Sequence, residues 1–343
     1  MVAAWWPRRR PRRGSYLAIG HRGTDTVALQ VDWQGRLCPS LLGHLPPVQK
    51  RVLQVAASSS VSQHTLWWVL EVHGQLWQRR SSGTWKRAPL PPVRSISAST
   101  THALAVDQDG RGWSCGRGKS SAVALGRSGP WDRWRRMTCG RIRTATAGMY
   151  ASILLDMAGR VWTCGENSWD QLGQGVTERQ LPRQPFPTLL RHLPPMRQAD
   201  GASGVLAMIS TTSQLWLAGW CSPVRSAAPV HHSDDAHYLA VTDTHLVVVH
   251  HDQTLWTGGY FPGDGKLARP CAETVISGLR QTLHSNVHAM EACAVGTNTA
   301  CTAWATEGTW KIAGASFATL QKSRAAPNEC WGLSNGASVR SGR

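Results

Sequence analysis

A short apolar segment followed by turn residues and a second apolar segment gives the clearest local pattern in the chain. Residues 152–155 read Ser-Ile-Leu-Leu, a break follows around Ala158 and Gly159, and Val161 and Trp162 open the second segment, which ends at Gly165. Alternation around a short glycine-bearing break is typical of two antiparallel strands joined by a tight turn. The segment therefore predicts a β-hairpin.

The same frame of turn, tryptophan and trailing glycine recurs along the chain. Clear copies occupy 72–77, 107–116, 212–219 and 252–259, and weaker copies occupy 32–38 and 307–314. The tryptophans that mark the clear copies are Trp77, Trp113, Trp162, Trp216 and Trp256. The marker position recurs every 36 to 54 residues, close to the ~40–50 residues of a four-stranded propeller blade. Seven copies predict an all-β, seven-bladed β-propeller.

The chain has 18 tryptophans but only 3 phenylalanines, and the repeat accounts for part of this excess. An indole ring buries a large apolar surface and still offers one N–H donor. We therefore interpret the repeat tryptophans as side chains that pack between sheets, each with an N–H that can donate to a neighbouring blade's backbone. We do not interpret them as surfaces on which nucleotide bases stack.

One copy of the repeat continues into a more specific motif. The stretch from Trp162 to Gly175 resembles the signature W-x-x-G-x-N-x-x-G-Q-L-G-x-G of the regulator of chromosome condensation family, with Asp170 in place of one glycine. The matching positions are Trp162, Gly165, Asn167, Gln171, Leu172, Gly173 and Gly175. The resemblance implies a seven-bladed propeller in which these glycines shape turns. The full signature occurs only in this fourth unit.

The resemblance also implies two kinds of function. Members of that family include an exchange factor for a small nuclear GTPase, which also docks on nucleosomes, and propellers that take part in organelle ribosome assembly. The exchange factor relies on acidic and histidine side chains from loops on one face, and no motif here matches those residues. The resemblance therefore supports the fold more strongly than it supports either activity.

The charge of the chain points to an anionic partner. The formal net charge is +17, which favours nucleic acid or an acidic surface. Residues 1–14 form an arginine-rich arm, 15–337 the propeller and 338–343 a short tail. The arm contains Arg8, Arg9, Arg10, Arg12 and Arg13, and no acidic residue precedes Asp25. Such an N-terminus fits a mitochondrial transit peptide, a nuclear localisation signal or a phosphate-binding arm.

A second basic segment lies between the third and fourth repeats. Residues 131–143 contain Trp131 and Trp134 together with Arg133, Arg135, Arg136, Arg141 and Arg143. Guanidinium groups bind phosphates, and exposed indoles stack on unpaired bases. The segment predicts a nucleic-acid-binding surface, and an ordinary connection between blades with solvated arginines is the alternative.

No motif in the sequence supports catalysis, a metal or a cofactor. Residues 332–336 satisfy G-x-S-x-G, but no histidine follows them, as a hydrolase triad of that order requires. Residues 112–120 resemble a phosphate-binding loop with one residue too many, and we interpret them as the exit of the third blade. The histidines at 231–237 and 250–251 read as solvated loop residues. Nine cysteines without a C-x-x-C pair argue against a zinc knuckle or a disulfide framework.

These observations lead to a ranked set of functions. The first is a non-enzymatic scaffold that binds ribosomal or other structured RNA and ribonucleoprotein proteins, as a component or assembly factor of a mitochondrial ribosome-like particle. The alternatives are an exchange factor for a small GTPase with a chromatin- or DNA-binding arm, and an adaptor that contacts proteins only. We expect mitochondrial localisation, with nuclear localisation as the alternative. We expect no membrane insertion, and a monomer within a larger complex.

Overall fold

The computed structural model describes residues 17–22, 25–31, 35–37, 46–48, 51–58, 66–80, 83–116, 133–202, 204–219, 226–241, 245–260, 276–281, 287–295, 299–306, 309–315, 320–321 and 332–333. The regular elements in these ranges are all β-strands. No helix in this part of the chain is long and apolar enough to cross a membrane.

Five consecutive segments each form a four-stranded antiparallel sheet in simple sequence order. We call them blades two to six. Blade two contains β3 (Val52–Ser58), β4 (Leu66–Glu71), β5 (Leu76–Arg80) and β6 (Lys86–Arg87). Blade three contains β7 (Val93–Ala98), β8 (His102–Asp107), β9 (Gly112–Gly116) and β10 (Arg135–Arg136). Blade four contains β11 (Ile142–Ala147), β12 (Ala151–Asp156), β13 (Val161–Glu166) and β14 (Arg183–Leu189). Blade five contains β15 (Met196–Gly201), β16 (Val205–Ser210), β17 (Leu215–Gly219) and β18 (Ser226–Ser233). Blade six contains β19 (Ala236–Val241), β20 (His245–His250), β21 (Leu255–Tyr260) and β22 (Ile276–Gln281).

The remaining strands complete the propeller. Blade one contains the pair β1 (Leu17–Arg22) and β2 (Asp25–Gln30), and blade seven contains β23 (Val287–Val295), β24 (Thr299–Thr306) and β25 (Thr309–Ala315). A last pair is β26 (Leu320–Gln321) with β27 (Gly332–Leu333). The first strands of successive blades contact one another, and β23 contacts β1. The seven first strands thus form a closed ring around the centre, and we call them the inner strands. The predicted seven-bladed propeller is confirmed.

The hydrophobic core lies between neighbouring blades. Each of five buried clusters draws its side chains from two adjacent blades, from the junction of blades one and two to that of blades five and six. The second strand of blades two to six is buried at every position. These strands are covered on both faces, so they read as continuous apolar runs where a half-exposed strand would alternate.

A backbone hydrogen bond repeats at each of these five junctions. The turn between the second and third strands of one blade offers a carbonyl to the first N–H of the next blade's inner strand. The accepting residues are Gly35, Gly74, Gly110, Gly159 and Ser213, which bond Val52, Val93, Ile142, Met196 and Ala236 over 2.6 to 2.9 Å. We call the end of the propeller that carries these turns the turn face.

Inner strands are also joined by side chains. The amide of Gln54 in blade two bonds both the carbonyl and the N–H of Ile96 in blade three. Gln198 in blade five does the same with Leu239 in blade six. Because the blades splay apart towards the rim, their backbones do not form one continuous sheet, and these side chains satisfy polar groups at the centre.

Candidate nucleic-acid interface

The repeat tryptophans of blades two to four share one hydrogen bond. The indole N–H of Trp77 donates to Glu71 over 2.7 Å, that of Trp113 donates to Asp107 over 3.0 Å, and that of Trp162 donates to Asp156 over 3.2 Å. Each acceptor is a buried carboxylate at the end of the strand paired with the tryptophan's own strand. The expected bond to a neighbouring blade's backbone is therefore wrong, because a carboxylate in the same hairpin lies within reach.

Asp156 shows how a buried carboxylate is accommodated. Its oxygens accept hydrogen bonds from the backbone of Ala158 and Arg160, and from the side chains of Arg160 and Trp162. Burial raises the pKa of Asp156, but the hydrogen bonds from Arg160 and Trp162 outweigh it and hold the pKa below its ordinary value. A carboxylate bonded in this way stays ionised inside the protein. It organises the turn and carries no chemistry.

The signature segment of blade four docks onto blade five. Asn167 is fully buried, and its side-chain oxygen accepts the N–H of Leu172 over 3.1 Å. Gly175 donates to the carbonyl of Ala227 in β18 over 2.9 Å. A Cβ added at Gly173 would lie 3.0 Å from Leu206 of blade five. Asp170, which replaces a signature glycine, keeps a positive φ of 59°. The segment therefore shapes a turn that packs two blades together.

Gln171 occupies the same segment with one donor unused. Its side-chain oxygen accepts the N–H of Trp169 over 2.8 Å, and the residue is 2% exposed. Its side-chain nitrogen is buried without a hydrogen-bond partner among the described residues.

Three arginines occupy the same position on three successive inner strands. Arg94, Arg143 and Arg197 are the second residues of β7, β11 and β15, and strand pairing skips each of them. A residue skipped in this way forms a β-bulge, which re-aims its side chain. Each side chain donates through Nη2 to the first carbonyl of the next inner strand, in Ile142, Met196 and Ala236 respectively. Only Arg143 was singled out by the sequence.

The predicted basic segment is divided by the fold. Arg135 and Arg136 form β10, the outermost strand of blade three, and Arg133 is exposed just before it. Arg143 lies at the opposite edge of the neighbouring blade, on inner strand β11, and Arg141 precedes that strand on the turn face. The segment thus contributes to the rim of the propeller and to its centre, where the sequence suggested one continuous patch.

The segment was predicted to expose its tryptophans beside its arginines, and the one tryptophan that the structure describes is buried. Trp134 is 8% exposed, packs in the core between blades two and three, and donates to Gln78 over 3.4 Å. The prediction of an exposed stacking indole is wrong at this position, because the outer strand turns the ring inward. Trp131 lies outside the described residues, as do Arg8, Arg9, Arg10, Arg12 and Arg13 of the arm.

The arginines of the segment have no acidic partners in the described part of the chain. The ion pairs found there join Arg111 to Asp107 and Asp109, Arg160 to Asp156, and His231 to Asp234. Arg141 donates to a backbone carbonyl, that of Asp109, over 3.0 Å. A guanidinium bonded to a carbonyl keeps its full charge, so these arginines carry positive charge that is not paired with any carboxylate among the described residues.

The other candidate motifs acquire structural roles or none. Residues Gly112 to Gly116 form β9, the third strand of blade three, as interpreted from the sequence. Gly332 and Leu333 form β27, and Ser334 lies outside the described residues. Among the residues that the structure describes, no group of three or more histidine, cysteine, aspartate or glutamate side chains is arranged to hold a metal.

One histidine and serine pair has the contact distance of a catalytic dyad. Nε2 of His102 lies 2.8 Å from Oγ of Ser152, across the junction of blades three and four. Both residues are fully buried, and burial lowers the pKa of His102 to about 3. A neutral imidazole sealed from solvent contacts no substrate, so the pair joins two blades.

Comparison with known proteins agrees with this geometry. The family model for the regulator of chromosome condensation (RCC1) repeat matches residues 158–206, which contain the signature segment and its junction with blade five. The chain is therefore a β-propeller that carries an RCC1 repeat in this region. Curated protein sequences give no significant match.

Solved structures of RCC1-type propellers share the fold at low sequence identity. Human WBSCR16 is 14% identical with a TM-score of 0.63, and the match covers 80% of this chain and 83% of that one. Yeast RCC1 (Prp20) bound to Kap60 is 14% identical with a TM-score of 0.63, covering 77% and 75%. Prp20p from Saccharomyces cerevisiae, described with its binding to Gsp1p and histones, is 13% identical with a TM-score of 0.61, covering 77% of each chain.

Proposed function

We propose that this RCC1-type propeller is a non-enzymatic scaffold that binds structured RNA. The observation that carries the proposal is that the arginines at the rim of blade three, Arg133, Arg135 and Arg136, and those at the start of β11, Arg141 and Arg143, form no ion pair with an acidic residue of the described chain. Phosphates are the natural counter-charges of such a surface, because arginine binds them through two parallel hydrogen bonds. The net charge of +17 supports the same class of partner.

We further propose that the particle is a mitochondrial ribosome or one of its assembly intermediates. The proposal is supported by the arginine-rich, acid-free N-terminus, a composition typical of transit peptides. A fluorescent fusion of the full chain tests it. Mitochondrial fluorescence is the expected result, and nuclear fluorescence would favour the chromatin alternative.

RNA binding is tested by measuring the affinity of the full chain for a structured ribosomal RNA fragment at several salt concentrations. We expect affinity to fall steeply with salt, because each phosphate contact releases counterions. In the variant R133A/R135A/R136A, the slope of log affinity against log salt should decrease by about two.

The matched control removes the same charge from blade four. Arg179, Arg183 and Arg191 are exposed, so R179A/R183A/R191A also lowers the net charge by three. If the two triple variants weaken binding equally, net charge alone explains the affinity and the proposed surface is wrong. If the wild-type chain does not bind RNA at low salt, the scaffold function itself is wrong.

A second candidate is an exchange factor for a small GTPase, favoured by the fold shared with Prp20p, which binds Gsp1p and histones. Acceleration of GDP release from small GTPases, measured with a fluorescent nucleotide, tests this activity. An adaptor that binds proteins only is the third candidate. Partner binding that is insensitive to salt and to deletion of residues 1–14 would favour it over RNA binding.

A further inference from the structure

The arginines that join the inner strands use only part of their hydrogen-bonding capacity. Arg94 donates through Nη2 to Ile142 and lies 3.8 Å from the sulfur of Met157, and Arg143 donates through Nη2 to Met196 over 2.8 Å. Nε of each of these two arginines is buried without a partner among the described residues. Nη1 of each makes no hydrogen bond there either, and it is not among the buried atoms.

A third arginine completes a cluster on the turn face. Arg141 is exposed and lies between the turn of blade three, where it bonds Asp109, and the start of inner strand β11. The cluster consists of Arg94, Arg141 and Arg143. Burial lowers the pKa of Arg94, the nearby charges of Arg141 and Arg143 lower it further, and Asp107 opposes them.

Asp107, the acidic residue whose charge acts on Arg94, already accepts other hydrogen bonds. Asp107 accepts the N–H of Arg111 over 2.8 Å and the indole N–H of Trp113 over 3.0 Å. The charges of Arg141 and Arg143 act unfavourably on Arg94, and the carboxylate that opposes them is already shared with Arg111 and Trp113. Like charges in this arrangement cost free energy in the absence of a further counter-charge.

We propose that Arg94, Arg141 and Arg143 form a phosphate-binding site at the turn face, on the two sides of inner strand β11. Arg94 and Arg141 lie at the junction of blades three and four, and the guanidinium group of Arg143 lies at the junction of blades four and five. The free Nη1 groups of Arg94 and Arg143 and the exposed guanidinium of Arg141 supply the donors, while the Nη2 bonds to carbonyls hold two of the guanidinium groups in place. Charged donors held in this way bind a phosphate through several charge-assisted hydrogen bonds. The phosphate belongs either to an RNA backbone or to a free polyphosphate, and the first of these rests on the proposed function.

The site is tested by isothermal titration of the full chain with inorganic tripolyphosphate at constant ionic strength. We expect binding that is weakened about tenfold or more in R94Q and in R143Q, and severalfold in R141A. R197Q is the matched control, because Arg197 makes the same link from blade five to blade six and its charge is not among those that act on Arg94. R179A controls for loss of an exposed charge. Both controls should remain within about twofold of wild type.

The variants separate a binding role from a structural one. If R94Q and R143Q bind tripolyphosphate as well as R197Q does, the arginines only join the blades and the site is wrong. If either glutamine variant does not fold, R141A still decides, because its side chain is on the surface; unchanged binding in R141A would overturn the site.

Competition with RNA separates this proposal from the proposed function. Displacement of tripolyphosphate by a ribosomal RNA fragment supports both. Tripolyphosphate binding at the cluster without displacement by RNA supports the site for a free polyphosphate and contradicts an RNA role for it. RNA binding that is unaffected in R94Q, R141A and R143Q, with no tripolyphosphate binding to wild type, overturns the site and leaves the RNA scaffold supported.

Discussion

Blades two to four and blades five and six build the same hairpin from different side chains. In blades two to four a buried acid ends the second strand, a glycine closes the turn, and the tryptophan N–H reaches that acid. In blade five the acid is replaced by Ser210 and the glycine by Ser213, and the indole nitrogen of Trp216 is buried without a hydrogen-bond partner among the described residues. In blade six His250 stacks on Trp256, whose N–H donates to Thr254.

The comparison shows which features the propeller requires. The turn position has a positive φ in all five blades, including 68° at Ser213 and 66° at Gln253. The carbonyl of Ser213 still accepts the first N–H of blade six. Ser210 accepts the turn N–H groups of Thr212 and Gln214, as Asp156 does for Ala158 and Arg160. All five blades share the backbone path and a hydrogen bond from the N–H of the turn residue to the carbonyl that ends the second strand. The hydrogen-bond partner of the tryptophan varies.

The largest difference between the two kinds of blade should follow removal of the acceptor. D156A removes the acceptor of four hydrogen bonds and leaves the Arg160 and Trp162 donors without it, so we expect a loss of about 3 kcal/mol in the free energy of unfolding. S210A in blade five should cost only about 1 kcal/mol. Urea unfolding followed by tryptophan fluorescence measures both. Equal losses would show that the carboxylate adds nothing beyond a hydroxyl.

The pH dependence of the D156A loss has a definite sign. The pKa of Asp156 is lower in the folded protein than its ordinary value. Its contribution is therefore present above the pKa of the unfolded chain and is lost as the pH falls through the folded pKa. The difference between wild type and D156A should shrink below about pH 4.

Replacing the turn glycine should cost slightly less. A Cβ at Gly159 would lie 2.9 Å from the carbonyl oxygen of Met196, at a φ of 80°. We expect G159A to lose about 2 kcal/mol through backbone strain and overlap. S213A, where the chain already carries a Cβ at that φ, should lose less than about 0.5 kcal/mol. G140A is the control, because nothing lies within 4 Å of a Cβ there. A similar melting temperature for G159A and G140A would contradict the close approach of the blades.

The inner strands offer a third contrast, between Ser97 in blade three and Asp200 in blade five. Both are the fifth residues of their strands, and both accept an N–H from the next inner strand, of Ala147 and Val241 respectively. Burial raises the pKa of Asp200 to about 7, although hydrogen bonds from Val241, Gly201 and Thr146 oppose the rise. Asp200 therefore contacts both neighbouring blades through a carboxyl group that titrates near neutral pH.

Stability should reflect this titration. Because the folded pKa lies above that of an unfolded aspartate, the folded state binds more protons and stability falls as the pH rises from about 4 to 7. D200N removes the titrating group, so its unfolding midpoint in urea should change less over this window, by an amount equivalent to about 1–2 kcal/mol. S97A is the control and should keep the wild-type pH dependence. A parallel pH profile for D200N would show that Asp200 is ionised throughout.

The smallest effect should be a gain. S210D introduces into blade five the acid found in blades two to four, and it supplies an acceptor for the indole N–H of Trp216. We expect about 1 kcal/mol of added stability at pH 7, because a buried donor gains a partner, and none below about pH 4, where the carboxyl group is neutral. W216F/S210D is the control, since it lacks that donor. A gain that persists in the double variant would attribute the effect to the turn and not to the indole.

Much of the fold was predictable because the repeat is local. Turn residues, the tryptophan and the trailing glycine lie within about fifteen residues, and a hairpin depends on neighbours in sequence. The partner of the indole N–H was not predicted, although the residue six positions before each tryptophan is an acid in blades two to four. That regular spacing between acid and tryptophan is the signal in the sequence for this hydrogen bond.

The sequence by itself therefore determined the number of blades, the hairpin in each and the signature segment, because these depend on short-range periodicity. Only the tertiary structure decided which arginines lie on neighbouring strands. Arg94 and Arg143 are 49 positions apart and Arg135 is much nearer to Arg143 in the chain, yet Arg135 lies on an outer strand while Arg94 and Arg143 lie on adjacent inner strands. Closure of the ring brings the same position of neighbouring repeats together, and that proximity follows from packing between blades, which no local pattern encodes.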